Sequence, residues 1–231
     1  MREGQRDPQI RTAAAGVPPG TSLAAFAPAL DDAMSHAFPI EDVDRQRAAE
    51  YDLLAVLLGR APGRETLAAL ADLQGDASPL GMAHIALAQA AAEADPAALQ
   101  QEYFDLFIGV GRGELLPYAS YYLAGFLYER PLARVREDLA RLGIERVERL
   151  SEPEDHLAIL CETMAGLADG RFEAEAGADK AFHERHLKPW AARFFADLAI
   201  SPSARFYRRV AEVGALFMEI EAQAFAMDAD G

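Results

Sequence analysis

The sequence predicts an all-α protein, a single globular bundle of about nine or ten helices, and three observations predict it. Apolar residues recur at intervals of three and four through most of the chain beyond Val43. Capping side chains followed by proline, and glycines after the last apolar position, mark repeated helix starts and stops. Strand-like alternation is nearly absent, and no repeat of roughly 30–45 residues points to a helical array. At 231 residues the chain is near the upper size of one hydrophobic core, so one domain over residues 41–231 is expected.

Residues 1–40 are rich in Ala, Gly and Pro, with Pro18-Pro19-Gly20 and no sustained period, and read as a mobile tail without chemistry. From Val43 the pattern turns helical, with Tyr51, Leu54, Ala55 and Leu58 on one face and Gly59 as the stop. Ser78-Pro79, Asp95-Pro96 and Ser201-Pro202 each place a capping oxygen before a proline that suits the first turn. The helix after Asp95 gathers Leu99, Tyr103, Leu106 and Phe107 on one side. The helix after Pro202 aligns Phe206, Val210, Val213, Phe217 and Ile220. Between them, a helix over Pro131–Leu142 stops at Gly143, and one over Ser151–Ala168 stops at Gly170. Phe182, His186, Trp190 and Phe194 form a stripe at intervals of four that Pro189 kinks or breaks.

Composition narrows the function. Half the residues are apolar, yet no run approaches the roughly 20 needed to span a bilayer, and the N-terminus lacks a basic region leading into an apolar core. An unexported, cytoplasmic protein without stable membrane insertion is the expectation. Cys161 is the single cysteine and sits in an apolar helical stripe, which suits a reduced core thiol. A formal charge of −15 opposes nucleic acid and favours cationic partners.

Two motifs stand out. Tyr103-x-x-Leu106-Phe107-x-Gly109-x-Gly111 ends an aromatic helix in a glycine loop that runs on to Pro117, Tyr118, Ser120 and Tyr121. A peptide can lie against such a ledge, with loop amides and tyrosine hydroxyls as polar contacts, although taken alone the stripe reads first as core and the glycine as a helix terminator. The second motif is Glu152-Pro153-Glu154-Asp155-His156. Ser151 and Glu154 have capping-box spacing, and Glu152 and Asp155 suit the positive end of a helix dipole. His156 gains nothing there as a cation, so a specific hydrogen bond beside Asp155 is expected.

Catalytic and cofactor signals are weak. His183 and His186 lie one residue short of the zinc-protease spacing, and no histidine follows a glutamate by three as di-iron bundles require, so no metal is assigned. Neither Lys180 nor Lys188 follows a glycine, and Gly109-Val-Gly111-Arg-Gly113 follows a helix rather than a strand, so no nucleotide or other cofactor is assigned. No nucleophilic site is found. A binder is preferred to an enzyme, with a small helical metal-dependent hydrolase using Glu152, Asp155 and His156 as the alternative.

The two motifs, their order and separation, and Phe182-x-x-x-His186-Leu187-x-x-Trp190 together resemble the TorD/DmsD-like family of molybdoenzyme maturation chaperones, with more distant similarity to NarJ-type proteins. Val110 and Ala119 depart from the family, which commonly has proline and an acidic residue there. The resemblance implies a cytoplasmic, all-helical, non-catalytic protein, monomer or homodimer. It would bind the twin-arginine signal peptide of a cofactor-free molybdoenzyme precursor and hold it until cofactor insertion, before export. It also implies that Tyr103, Leu106, Phe107, Gly109, Gly111, Pro117, Tyr118, Ser120, Tyr121, Glu152, Pro153, Asp155 and His156 line or support the peptide site. Asp155 would attract a guanidinium or orient His156.

Overall fold

A computed structural model describes residues 40–145 and 152–227. Residues 1–39 of the expected tail, and Ser151 with its expected capping box, lie outside the described residues. The elements are α1 Ile40–Gly59, α2 Arg64–Ala71, α3 Pro79–Glu93, α4 Pro96–Tyr103, a π-helical turn Phe104–Ile108, α5 Ala119–Ala124, α6 Arg130–Arg141, α7 Leu157–Ala168, α8 Ala178–His186, α9 Ala191–Ile200 and α10 Phe206–Met227. The described residues form an all-α fold with ten α-helices and no strand.

α7 is the central helix. Leu157, Leu160, Cys161, Met164 and Ala165 are fully buried, the pattern of a helix enclosed on most sides, and α1 lies along it. α1 is itself buried beyond the predicted face, since Leu53 and Leu57 join Tyr51, Leu54 and Leu58. α10 packs on α3 and α9, and α5 on α6. Close approach of α10 to α9 needs Gly214, where a Cβ would fall 2.2 Å from the Phe195 ring.

Polar ties cross this core. The Arg47 guanidinium donates to Glu221 at 2.8 Å and Asp179 at 2.9 Å, so α1 is joined to α10 and α8. The Tyr51 hydroxyl also donates to Glu221, at 2.9 Å. Trp190 sits where α8 gives way to α9, its Nε1 donating to the His186 carbonyl at 2.6 Å and its ring 5.2 Å from that of Tyr122. The chain breaks at Pro189, as the sequence predicts.

Ser78 and Asp95 cap their helices, accepting from the Gly81 and Ala98 amides. Ser201 does not. It closes α9, and α10 starts at Phe206, where Glu102 accepts from the amides of Arg205, Phe206 and Tyr207. The helix expected from Ser151 begins instead at Leu157. Ile220 is a further correction: it is 45 % exposed, and Glu221 turns inward to meet Arg47 and Tyr51.

Candidate peptide-binding corner

The first motif turns sharply because α4 widens into the π-helical turn and then meets Gly109 at φ 63°. A side chain at Gly109 is doubly unfavourable, since the left-handed backbone is strained and a Cβ would sit 2.1 Å from the Arg112 carbonyl oxygen. The loop folds back on the turn, with the Glu114 and Leu115 amides donating to the Asp105 and Leu106 carbonyls at 3.0 and 2.8 Å.

That return brings the second motif alongside. The Leu157 amide donates to the Pro117 carbonyl at 2.8 Å, and the Ala119 amide donates to the Asp155 carbonyl at 3.0 Å. Tyr118 and His156 pair as an isolated antiparallel bridge. The Asp155 carboxylate accepts from the Ser120 amide at 2.8 Å, which places it at the start of α5. His156 accepts through Nδ1 from the Ala158 amide at 3.1 Å and so caps α7. The hydrogen bond expected for His156 exists, although its partner is a backbone amide rather than Asp155. Glu154, expected in a capping box, accepts from Arg136 of α6 at 2.9 Å.

Burial divides the candidates. Tyr103, Leu106, Pro117, Ser120, Pro153, Asp155 and His156 are buried; Phe107, Gly109, Tyr118, Tyr121 and Glu152 are half-buried; Gly111 is exposed. Tyr103 and Phe107 pack edge to face at 5.0 Å, and both stack near Tyr207. The aromatic stripe is therefore part of the core, with Phe107 at its edge. Asp155, 1 % exposed and already bonded, holds the corner rather than facing a guanidinium. The carboxylate nearer the surface is Glu152, which accepts from the Tyr118 hydroxyl.

Charge states follow from this enclosure. Burial lowers the His156 pKa to about 4, against the smaller upward pull of Glu152, so the ring is neutral. Burial raises Tyr103 to about 12, with Glu152 adding to the shift, and raises Tyr118 together with its bond to Glu152. Both phenols stay protonated and able to donate. Burial also pushes the Cys161 thiol up, away from thiolate reactivity.

Glu152, Asp155 and His156 are each hydrogen-bonded to a different partner, Tyr118, the Ser120 amide and the Ala158 amide. Among the described residues no three His, Cys, Asp or Glu side chains are grouped to hold a metal ion. His186 bonds Asp138 of α6 at 2.7 Å, whereas His183 is 1 % exposed and neither ring nitrogen has a partner. A separate cavity of about 620 Å³ lies between the α3–α4 corner and the start of α10, lined by Glu93, Asp95, Glu102, Asp105, Arg205 and Arg209 among others. No described helix is long and apolar enough to cross a membrane.

The structure also shows residues that sequence reasoning missed. Glu102 caps a helix about a hundred positions away, and no local pattern announces that partnership. Phe126 and Tyr128 are each 72 % exposed beside the corner. Gly125, directly before them, is the signal that a turn interrupts the helical pattern.

Comparison with known proteins agrees with the fold and with the family resemblance. The family described as nitrate reductase delta subunit matches residues 73–196. The chain is 28 % identical over 138 residues to chaperone protein TorD of Aliivibrio fischeri, covering 55 % of this chain and 64 % of that one. It is 35 % identical over 105 residues to chaperone protein TorD of Vibrio cholerae, covering 42 % and 48 %. The chain thus spans about half to just under two thirds of these relatives. A crystal structure from Archaeoglobus fulgidus, described as a proposed redox enzyme maturation protein, shares the fold with a TM-score of 0.51 at 21 % identity, over 82 % of this chain and 99 % of that one. With more than half of its length matched, the protein belongs to the nitrate reductase delta subunit family and is TorD-like.

Proposed function

We propose that this chain is a non-catalytic chaperone of molybdoenzyme maturation. It binds the twin-arginine signal peptide of a molybdopterin-containing oxidoreductase precursor in the cytoplasm and holds the cofactor-free enzyme back from export. The observation that carries the reading is the joining of the two motifs into one corner, where Tyr118, Glu152 and Tyr121 reach the surface over a rigid aromatic base. The family match and the names of the relatives support the same role.

Recognition then needs a cation acceptor and an apolar contact. Glu152 supplies the first, through a charge-assisted hydrogen bond to a guanidinium. Phe107 and Tyr121 supply half-buried ring surface. The buried members, Asp155, His156, Ser120 and Leu106, act by fixing the corner. The hydrolase alternative is weakened because its three groups point to separate internal partners.

Calorimetry with a twin-arginine leader peptide and a sequence-scrambled control tests the proposal. The leader should bind and the scrambled peptide should not; equal affinity for both would overturn it. Glu152→Gln should weaken leader binding by about tenfold, roughly 1.4 kcal/mol.

A further inference from the structure

Ten large apolar side chains are exposed among the described residues, and five of them, Ile108, Val110, Leu123, Phe126 and Tyr128, fall between residues 108 and 128. Exposed apolar residues scattered singly need no explanation, but these five fall in the stretch that carries the glycine loop and the turn joining α5 to α6. Val110, 97 % exposed, tips the glycine loop, and Phe126 and Tyr128 sit on the turn joining α5 to α6.

The turn is also strained. Gly125 opens it in the left-handed region at φ 84°, and Tyr128 follows at φ 63°, the one non-glycine residue at positive φ among the described residues. A bulky aromatic is disfavoured in that conformation. Here the strain holds the ring in water, so the free protein gains no burial in return. A partner that covers the ring accounts for both costs.

Position and charge indicate the partner. Tyr118 is the N-cap of α5 and donates its hydroxyl to Glu152, whereas Gly125 opens the turn at the other end of that six-residue helix. The carboxylate and the apolar turn are therefore about 9 Å apart along α5, and Tyr128 lies within electrostatic reach of Tyr118. Arg112 of the glycine loop is laid over the Tyr121 ring at 5.4 Å and donates to its hydroxyl. Glu129, which follows Tyr128, is exposed and is itself followed by exposed Arg130, in a chain of formal charge −15. An apolar run flanked by a basic side chain matches both halves of this surface.

We infer that the 125–128 turn holds the apolar stretch of the bound leader, with Phe126 and Tyr128 as its contacts and Glu152 receiving a basic side chain that precedes it. This rests on the leader-binding role proposed above and moves the main apolar contact from the half-buried Phe107 and Tyr121 rings to an exposed turn that the motifs do not include.

The test uses the full chain, a peptide of two arginines followed by a leucine-rich stretch, the same peptide with its leucines changed to serine, and a scrambled control. Tyr128→Gly removes the ring and relieves the backbone, so its thermal midpoint should equal or exceed that of the parent protein; Phe126→Ser is the second variant. Both should bind the leucine peptide at least tenfold more weakly, and all three proteins should bind the serine peptide equally weakly. The inference is overturned if the parent binds the leucine peptide while both variants match its affinity, or if the parent binds the serine peptide as tightly. Failure of the parent to prefer the leucine peptide over the scrambled one would remove the leader-binding role itself.

Discussion

His156 joins the two motifs as a neutral ring, accepting an amide hydrogen at the start of α7 while Tyr118 packs edge-on against it at 5.0 Å. Its folded pKa, about 4, lies below the ordinary 6.5. A depressed histidine pKa means that the unfolded chain binds more protons, so this contribution is complete above pH 6.5 and is lost as pH falls towards 4, about 3 kcal/mol in all. Burial lowers His183 and His186 as well, which adds to acid sensitivity in the same direction. His156→Asn keeps a good capping oxygen and removes the titration. Its urea midpoint should therefore fall less between pH 7 and pH 5 than that of the parent. Asp155→Asn should cost about 1–2 kcal/mol in urea unfolding at pH 7, because the charged acceptor at the Ser120 amide is lost. The motif was visible in sequence, but the split between half-buried Glu152 and buried Asp155 was not. Spacing identifies acids without saying which one a distant amide has claimed.

Among the elements, helix starts made by neighbours in sequence were readable, and those made across the fold were not. Ser78 and Asp95 lie directly before the helices they cap. Glu102 instead reaches from α4 to three amides at the head of α10, which displaces the start expected at Ser201. Glu102→Ala should cost about 1–2 kcal/mol and speed hydrogen exchange at the Arg205, Phe206 and Tyr207 amides. Exchange unchanged at those three positions would contradict the assignment. The apolar stripe of α10 was predicted well as far as Phe217 and failed at Ile220. Steps of four from Phe217 arrive at Glu221, and a buried glutamate is hidden from any reading that follows apolar residues alone.

At the scale of the molecule, the Arg47–Glu221 pair joins the first helix to the last and to α8, so its value depends on both charges being present. Glu221→Leu leaves the guanidinium enclosed without its main partner and should cost about 3–5 kcal/mol in urea unfolding. Arg47→Met with Glu221→Leu should recover part of that loss, because an apolar pair of similar volume suits the same place while the buried Tyr51 hydroxyl stays unpaired. A double variant as unstable as the single one would show that the pair acts through something other than its charges. The all-helical class and most helix stops were already legible, since they depend on local periodicity and on glycines such as Gly143 and Gly170. What periodicity could not reveal was which helix is central and which charges lie inside, because those depend on packing between distant segments.

The seating of Trp190 between α8 and α9 has a practical consequence. It is the sole indole in the chain, so intrinsic fluorescence excited at its absorption edge comes from one place. Its ring is enclosed against Tyr122 and Phe194, and its emission should be blue-shifted in the native protein and move to the red when that junction opens to solvent. Tyr122 belongs to α5, beside the 125–128 turn, so the same optical signal should respond, without any attached dye, if the proposed leader engages there.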